Sequence, residues 1–192
     1  MGTAGCVRDP FVSMDGAKRV GDWIIEQQID RVTGAPLPSA TLPGAASNSG
    51  IDYWAKRGVL QLTCFGGKPI VRFGFEFKVG TKDNSFVGYR FDDKPGREVV
   101  TNARFQQDYR MVVLEDRADV LQFINDLRGS KALYVRIRSL NAGRTSLDLP
   151  KLEGSDEAID AAYAGCALEP QTPDKPASKR AQSWRARQLA AT

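Results

Sequence analysis

Residues 58–79 alternate between apolar and polar or small side chains, a pattern that fits extended strands and not helices. Every second residue of the segment 58–65 faces one way: Leu60, Leu62 and Cys64. Gly66 and Gly67 follow and are typical of a tight hairpin turn. A second strand over 69–79 then lines one face with large apolar side chains: Val71, Phe73, Phe75 and Phe77. The centre of the chain is therefore predicted to be a half-buried antiparallel hairpin.

Two later segments carry the spacing of amphipathic helices. The first begins at Asp116 and ends at Gly129, a residue suited to the left-handed position after a helix. Its apolar residues recur every three or four positions: Val120, Phe123, Ile124 and Leu127. Ser155 is predicted to cap the second helix. The apolar face of that helix comprises Ile159, Ala162, Tyr163 and Cys166.

The whole pattern predicts roughly seven to nine strands and two short helices, with most strands joined by hairpins. The fold class is therefore expected to be mainly β (α+β). Its architecture is expected to be an antiparallel β-sandwich or a strongly curved sheet, with the helices at one edge or end. Residues 33–50 are rich in Gly, Pro, Ser and Ala, so we expect a long loop there around a short edge strand at 40–42.

Composition divides the chain into three parts. Residues 1–21 are predicted to be a flexible lead-in, residues 22–168 a single β-rich domain, and residues 169–192 a disordered basic tail. The tail carries +3 of the net charge of +4. The basic pI is therefore weak support for a nucleic-acid partner of the domain itself, and nucleic acid is not its expected partner.

Cys64 and Cys166 each lie on the apolar face of a predicted element. If both faces look into one core, the two thiols can meet as a disulfide that ties the last helix to a central strand. The alternative is two separate buried thiols, because free cysteine is among the most buried residue types. A disulfide would place the protein outside the reducing cytosol.

The residue types present argue against an enzyme. The chain has no histidine, which removes the commonest general base and most catalytic zinc sites. Its three cysteines include no CxxC pair, so neither a zinc site nor a thioredoxin-like redox pair is indicated. We therefore expect no catalytic residues, no metal and no cofactor. No stretch is apolar for long enough to predict a membrane span.

Residues 1–20 hold no apolar segment of the kind found in signal peptides. Export would then require that the sequence is a mature form or starts late. Small residues precede Cys6, as they do before the lipidated cysteine of bacterial lipoproteins. Cys6 is thus a candidate for lipidation, the alternative being an ordinary unpaired cysteine.

Four arginines are candidates for binding a partner or an anion. Arg72, Arg136 and Arg138 point outward on two predicted strands, and they would form one basic patch if those strands were neighbours. Arg90 shares a strand face with Asp92. It is either an exposed anion-binding residue or half of a same-strand ion pair, which contributes about 0–1 kcal/mol.

Several segments occur in an order that resembles a known family. They are Trp23, the Leu60-x-Leu62-x-Cys64 strand, Tyr89-Arg90-Phe91-Asp92, the helix with Phe123 and Leu127, the strand Leu133-Tyr134-Val135-Arg136, Gly154 and the final Cys166. Together they resemble the type VI secretion-associated accessory proteins of Gram-negative bacteria and related envelope proteins. The resemblance spans residues 22–168 and implies an exported, non-enzymatic, β-rich domain without catalytic residues.

The leading hypothesis is thus a periplasmic or envelope-associated accessory module that binds another protein. The binding surface would be a sheet edge, the 33–50 loop or the outward arginines. The alternative is a cytoplasmic or phage-derived protein that binds nucleic acid through the basic tail, where Trp184 lies among Lys and Arg residues. The partner's identity and the oligomeric state cannot be read from the residues.

Overall fold

A computed structural model of the protein describes residues 12–30, 32–49, 51–80, 85–98, 103–106, 108–140, 142–166 and 168. The strands are β1 (Val12–Val20), β2 (Trp23–Asp30), β3 (Pro36–Asn48), β4 (Ile51–Phe65), β5 (Lys68–Phe75), β6 (Ser85–Phe91), β7 (Arg97–Glu98), β8 (Ala103–Gln106), β9 (Met111–Leu114), β10 (Leu133–Ser139) and β11 (Gly143–Leu149). The helices are α1 (Arg117–Leu127) and α2 (Ser155–Ala162).

These strands form one antiparallel sheet in the order β7-β6-β10-β11-β3-β4-β5-β9-β8. Strand β2 also pairs with β3, and β1 pairs with the other edge of β2. The chain is mainly β, and its sheet curls into a half-barrel that carries the two helices. The predicted fold class is thereby confirmed, with the curved sheet as its form. The central hairpin is also confirmed, because Gly66 and Gly67 link β4 to β5 with φ of 57° and 74°.

The curl is visible in the aromatic core. Phe123 of α1 contacts Phe73 on β5 at a ring-centroid distance of 5.8 Å, and it contacts Tyr89 and Phe91 on β6 at 5.0 and 5.1 Å. Strands β10, β11, β3 and β4 lie between β5 and β6 in the sheet. The sheet must therefore wrap around α1 for both strands to reach the same ring. Each edge-to-face pair adds about 0.5–1.5 kcal/mol beyond the burial of apolar area.

Helix α1 follows the prediction closely. Asp116 is its N-cap, and Oδ1 of Asp116 accepts hydrogen bonds from the backbone N–H of Ala118 and Asp119 at 2.9 and 3.2 Å. Gly129 follows the C-cap with a φ of 68°. The buried residues are the predicted ones: Val120, Phe123, Ile124 and Leu127.

Helix α2 begins differently from the prediction. Gly154, and not Ser155, is the N-cap, with a left-handed φ of 87°. A Cβ atom at Gly154 would lie 2.8 Å from the backbone oxygen of Val20. The cap position is therefore packed against the end of β1, which excludes any side chain there, and Ser155 becomes a buried first residue of the helix.

The long loop predicted for residues 33–50 is wrong, because β3 is a 13-residue strand inside the sheet. Its first half pairs with β2 up to Thr41, and its second half pairs with β11 from Ala45 onward. Pro43 lies between the two stretches, where its missing N–H costs no pairing to β2 or β11. A side chain at Gly44 would collide with Leu149 and approach Asp148 O to 2.7 Å. The small residues therefore permit close packing, and Pro36–Asn48 is a strand and not a loop.

The predicted flexible lead-in over residues 1–21 also needs correction for its second half, where β1 pairs with β2. A register shift between Met14 and Ala17 surrounds Gly16, whose φ is 103°. This bulge breaks the alternation that identifies a strand in a sequence.

Strand β5 ends at Phe75 and not at the predicted Val79. The second face of β5, which the alternation predicts to face solvent, also contains buried residues, Ile70 and Gly74.

Cys64 on β4 and Cys166 beyond α2 form a disulfide with a Cα–Cα distance of 5.9 Å, which confirms the predicted pairing. The sequence separation is 102, for which chain entropy gives about 4–5 kcal/mol. The Tyr163 hydroxyl donates to the backbone oxygen of Ile70 at 3.0 Å, and burial raises the pKa of that hydroxyl well above its usual value. Disulfide and hydrogen bond together hold the end of α2 against β4 and β5.

Candidate functional site: an arginine face and a charged cleft

Four arginines lie together on the outer side of the sheet, opposite the apolar core. On β10, Arg136 and Arg138 stand opposite Gly88 and Phe86 of β6. Arg90 stands two pairs further along β6, opposite Tyr134. Arg144 of β11 stands opposite Arg138. Cross-strand neighbours have Cβ atoms about 4.5–5.5 Å apart, so these residues form a continuous surface. We call Arg90, Arg136, Arg138 and Arg144 the arginine face.

Arg72 is not part of this face, and the patch that would combine it with Arg136 and Arg138 does not form. Its strand β5 is separated from β10 by β4, β3 and β11. Arg72 is half-buried, and burial lowers its pKa. One of its guanidinium nitrogens donates to Gln61 Oε1 at 3.4 Å, while its Nε has no hydrogen-bond partner among the described residues.

Glu98 on β7 organises two of the arginines. Its Oε1 accepts from Arg136 Nη2 at 3.2 Å and from Arg138 Nη2 at 2.8 Å. Because all three side chains are about half exposed, each pair contributes only about 0–1 kcal/mol. The guanidinium of Arg138 also lies 5.9 Å from the ring centroid of Phe86. Both guanidinium groups are therefore held in place with little contribution to stability.

Arg90 does not form the same-strand ion pair with Asp92. The carboxylate of Asp92 instead accepts from the backbone N–H of Lys131 at 2.9 Å and of Ala132 at 2.8 Å. Burial alone would raise the pKa of Asp92, but these two donors hold it below its usual value. Arg90 is exposed, and no carboxylate of the described residues lies within ion-pair distance of it.

A cleft opens beside Arg90, between β6, β7 and the turn at residues 92–96. It consists of two adjoining cavities of about 250 and 500 Å³, which share Tyr89, Arg90, Gly96 and Arg97 as a common wall. The smaller cavity extends towards Phe91, Lys94, Pro95 and Asp126. The larger one extends towards Gly88, Glu98, Tyr134 and Arg136. We call the two together the β6–β7 cleft.

Helix α1 supplies the acidic wall of this cleft. Asp126 Oδ2 accepts from Arg97 Nε at 2.8 Å, and its other oxygen accepts from Gln122 at 3.0 Å. Burial, and next the charge of Asp126, raise the pKa of Tyr89 to about 12. Tyr89 is therefore uncharged near neutral pH, and it cannot cancel the positive charge of the surrounding arginines.

Sequence reasoning named Arg90, Arg136 and Arg138 as candidates. It did not name the other residues of the face and the cleft: Lys94, Arg97, Glu98, Asp126 and Arg144. Residues 93–96 are Asp, Lys, Pro and Gly, a combination typical of a turn, but they do not indicate what the turn contacts. The missed contacts join residues about 30 positions apart, such as Arg97 with Asp126. No local periodicity encodes such a contact.

Two other predictions lie outside the described residues. They are the lipidation of Cys6 and the binding role of the tail at 169–192. Within the described ranges, no helix is long and apolar enough to cross a membrane. Over the same residues, no cluster of three or more acidic or cysteine side chains is arranged to hold a metal ion. Comparison with protein-family models, curated proteins and solved structures found no match to this chain.

Proposed function

We propose that this protein is an exported, disulfide-stabilised accessory module that binds an acidic protein partner through its arginine face. The proposal rests chiefly on the gathering of Arg90, Arg136, Arg138 and Arg144 on one side of adjacent strands. Strand pairing holds the backbone under all four, so the spacing of the charges is preset. The activity is binding and not catalysis.

The composition of this surface supports a protein partner with negative charge. Glu98 and Asp148 are the acidic residues among the described positions that alternate with these arginines on the outer side. Four cations therefore exceed two anions. Arginine is enriched in protein interfaces and in their energetic hot spots, and opposite charge accelerates association. A rigid, exposed face of this kind suits a surface-to-surface contact.

The disulfide supports the exported part of the proposal. Disulfides persist in oxidising compartments such as the periplasm and are rare in the cytosol. Cys64 is buried and Cys166 is partly buried, which suits a structural cross-link. The resemblance to type VI secretion-associated proteins stays a prediction, and an accessory role in a secretion system is a specific form of this proposal.

The alternative of nucleic-acid binding through the basic tail rests on residues outside the described ranges. Truncation after Leu168 separates it from the proposal. Loss of salt-dependent DNA or RNA binding on truncation would favour the tail, because phosphate contacts release counterions. Retained capture of an acidic protein by the truncated chain would favour the arginine face.

Export is tested by mass-spectrometric peptide mapping, without reduction, of protein purified from its native host. The proposal expects a cross-linked peptide that contains Cys64 and Cys166. Free and unmodified thiols at both positions would contradict the exported part.

The partner-binding part is tested by cross-linking in the native host. We compare the wild type with the variant Arg90→Gln/Arg136→Gln/Arg138→Gln. Arg110→Gln is the matched control, because Arg110 is exposed on the opposite end of the sheet. We expect an acidic protein that cross-links to the wild type and the control, with at least tenfold lower yield for the triple variant. Equal yields from all three proteins would contradict the proposal.

A further inference from the structure

The charges of the β6–β7 cleft do not balance. It is lined by Arg90, Lys94, Arg97 and Arg136 against two carboxylates. Each carboxylate is already engaged, since Asp126 pairs with Arg97 and Glu98 pairs with Arg136.

The two other cations are left without an ion pair among the described residues. Lys94 donates to uncharged oxygens, at 3.1 Å to Ser130 Oγ and at 3.3 Å to the backbone oxygen of Asp126. Asp92 attracts Lys94 at longer range, but the carboxylate of Asp92 is bonded to the backbone of Lys131 and Ala132. Arg90 and Lys94 thus give the cleft two positive charges that are not paired with a carboxylate of the described residues.

The two cavities meet at the hairpin that joins β6 to β7. Both are lined by Tyr89 and Arg90 of β6 and by Gly96 and Arg97 at the start of the returning strand. Gly88 and Gly96 line the larger cavity without side chains. The larger cavity, at about 500 Å³, lies within the range of about 300–1,000 Å³ that is typical of ligand pockets, and the smaller, at about 250 Å³, lies just below it.

We infer that the β6–β7 cleft binds an acidic segment of the partner and that Arg90 and Lys94, which both line its smaller cavity, each receive one carboxylate. This inference rests on the proposed function and names the part of the partner that is recognised. The guanidinium of Arg90 can hold a carboxylate with two parallel hydrogen bonds, whereas Lys94 acts as a point charge. Half-buried Tyr134, which stands opposite Arg90, flanks the segment.

Hexaglutamate with a fluorescent label is the probe, and its affinity is measured by fluorescence anisotropy. Arg90→Gln and Lys94→Gln each remove one charge, and we expect each to weaken binding about ten- to hundredfold, the usual effect of losing a charge-assisted hydrogen bond. Arg110→Gln is the control, because it removes an exposed charge at the opposite end of the sheet, outside both the arginine face and the cleft. We expect that variant to bind within about threefold of the wild type, because its charge acts only through solvent.

A second variant tests shape without altering charge. A Cβ at Gly96 would meet the backbone oxygen of Tyr89 at 3.6 Å, an ordinary contact, and the φ of Gly96 is not positive. The Cβ atom of Gly96→Leu is therefore accommodated, and we expect the rest of the leucine side chain to fill the cleft. We expect it to abolish hexaglutamate binding while circular dichroism and thermal unfolding stay close to the wild type. Gly96→Ala is a smaller replacement should the leucine disturb the turn.

Three results would overturn the inference. The first is wild-type protein that does not bind hexaglutamate, and the second is binding that survives both Arg90→Gln and Gly96→Leu. The third is a preference for a phosphoserine peptide or inorganic phosphate over hexaglutamate, which would assign the cleft to phosphate.

The same variants separate this inference from the proposed function. If Gly96→Leu still captures the acidic partner in the native host and the triple arginine variant does not, the cleft inference fails alone. If neither loses the partner, both fail.

Discussion

The disulfide region and the β6–β7 cleft are built on the same sheet by opposite means. Around Cys64 and Cys166, the structure is buried, apolar and cross-linked, with Tyr163 bonded to the strand below it. Around Arg90, the structure is exposed and charged, and its ion pairs are half in solvent. The first region supplies stability and the second supplies a preset pattern of charge. A substitution in the disulfide region should therefore have little effect on binding, and a substitution in the cleft should have little effect on stability.

The largest expected effect comes from removing the disulfide. The double change Cys64→Ala/Cys166→Ala should lower the free energy of unfolding by about 4 kcal/mol, the chain-entropy estimate for so long a loop. Urea unfolding measures this loss. At urea concentrations below its unfolding transition, the double variant should bind hexaglutamate with the same affinity as the wild type. A variant of unchanged stability, or a folded variant with impaired binding, would break the division between the regions.

Asp92 begins the turn that borders the cleft, and its removal should have the next largest effect. Asp92→Ala leaves the N–H groups of Lys131 and Ala132 without their charged acceptor, at a cost of about 1–3 kcal/mol. The pKa of Asp92 is lowered in the folded protein from an ordinary value of 3.8.

The wild type should therefore have a higher free energy of unfolding than Asp92→Ala. This difference is complete at pH values above the ordinary pKa of Asp92, and it is lost as the pH falls through the lower pKa that Asp92 has in the folded protein. Urea unfolding of both proteins across this acidic range measures the difference. A constant difference down to the lowest pH would show that the charge of Asp92 is irrelevant.

Tyr163→Phe tests the buried region with a smaller change. It removes the hydroxyl that donates to Ile70, and the expected loss is about 1 kcal/mol, the net value of a typical internal hydrogen bond. Thermal unfolding measures this loss of stability. The affinity of the variant for hexaglutamate should be the same as that of the wild type. Unchanged stability would mean that the hydrogen bond adds nothing beyond the disulfide.

Glu98→Gln should have the smallest effect on stability, below about 1 kcal/mol, because its ion pairs are exposed. Its effect on binding should be opposite in sign to that of Arg90→Gln. Loss of the carboxylate frees Arg136 and Arg138, so hexaglutamate should bind more tightly, by about two- to fivefold. Weaker binding by Glu98→Gln would show that orienting the arginines matters more than their charge.

The two regions also differ in how far the sequence predicts them. The disulfide region is visible in the alternation that leads to Cys64 and in the helical spacing that leads to Cys166, since burial leaves a periodic apolar pattern. The cleft depends on which strands become neighbours. Arg72 and Arg136 have the same outward signal in the sequence, and only strand order separates them.

Strand β3 shows a further limit of the pattern. Glycine, alanine and proline are typical of loops, yet at Gly44 and Pro43 they permit close packing and an exchange of partner strands. The same residue types thus meet two different physical requirements. Only the neighbouring strands decide between them, and those neighbours come from distant parts of the chain.

The most direct test of the central claim is nuclear magnetic resonance of the labelled protein during titration with hexaglutamate. The account predicts chemical-shift changes at Gly88, Arg90 and Gly96, including the Arg90 side-chain Nε–H, and none near Cys64 or Tyr163. Shift changes centred on the disulfide region, or none at the cleft at saturating peptide, would contradict it.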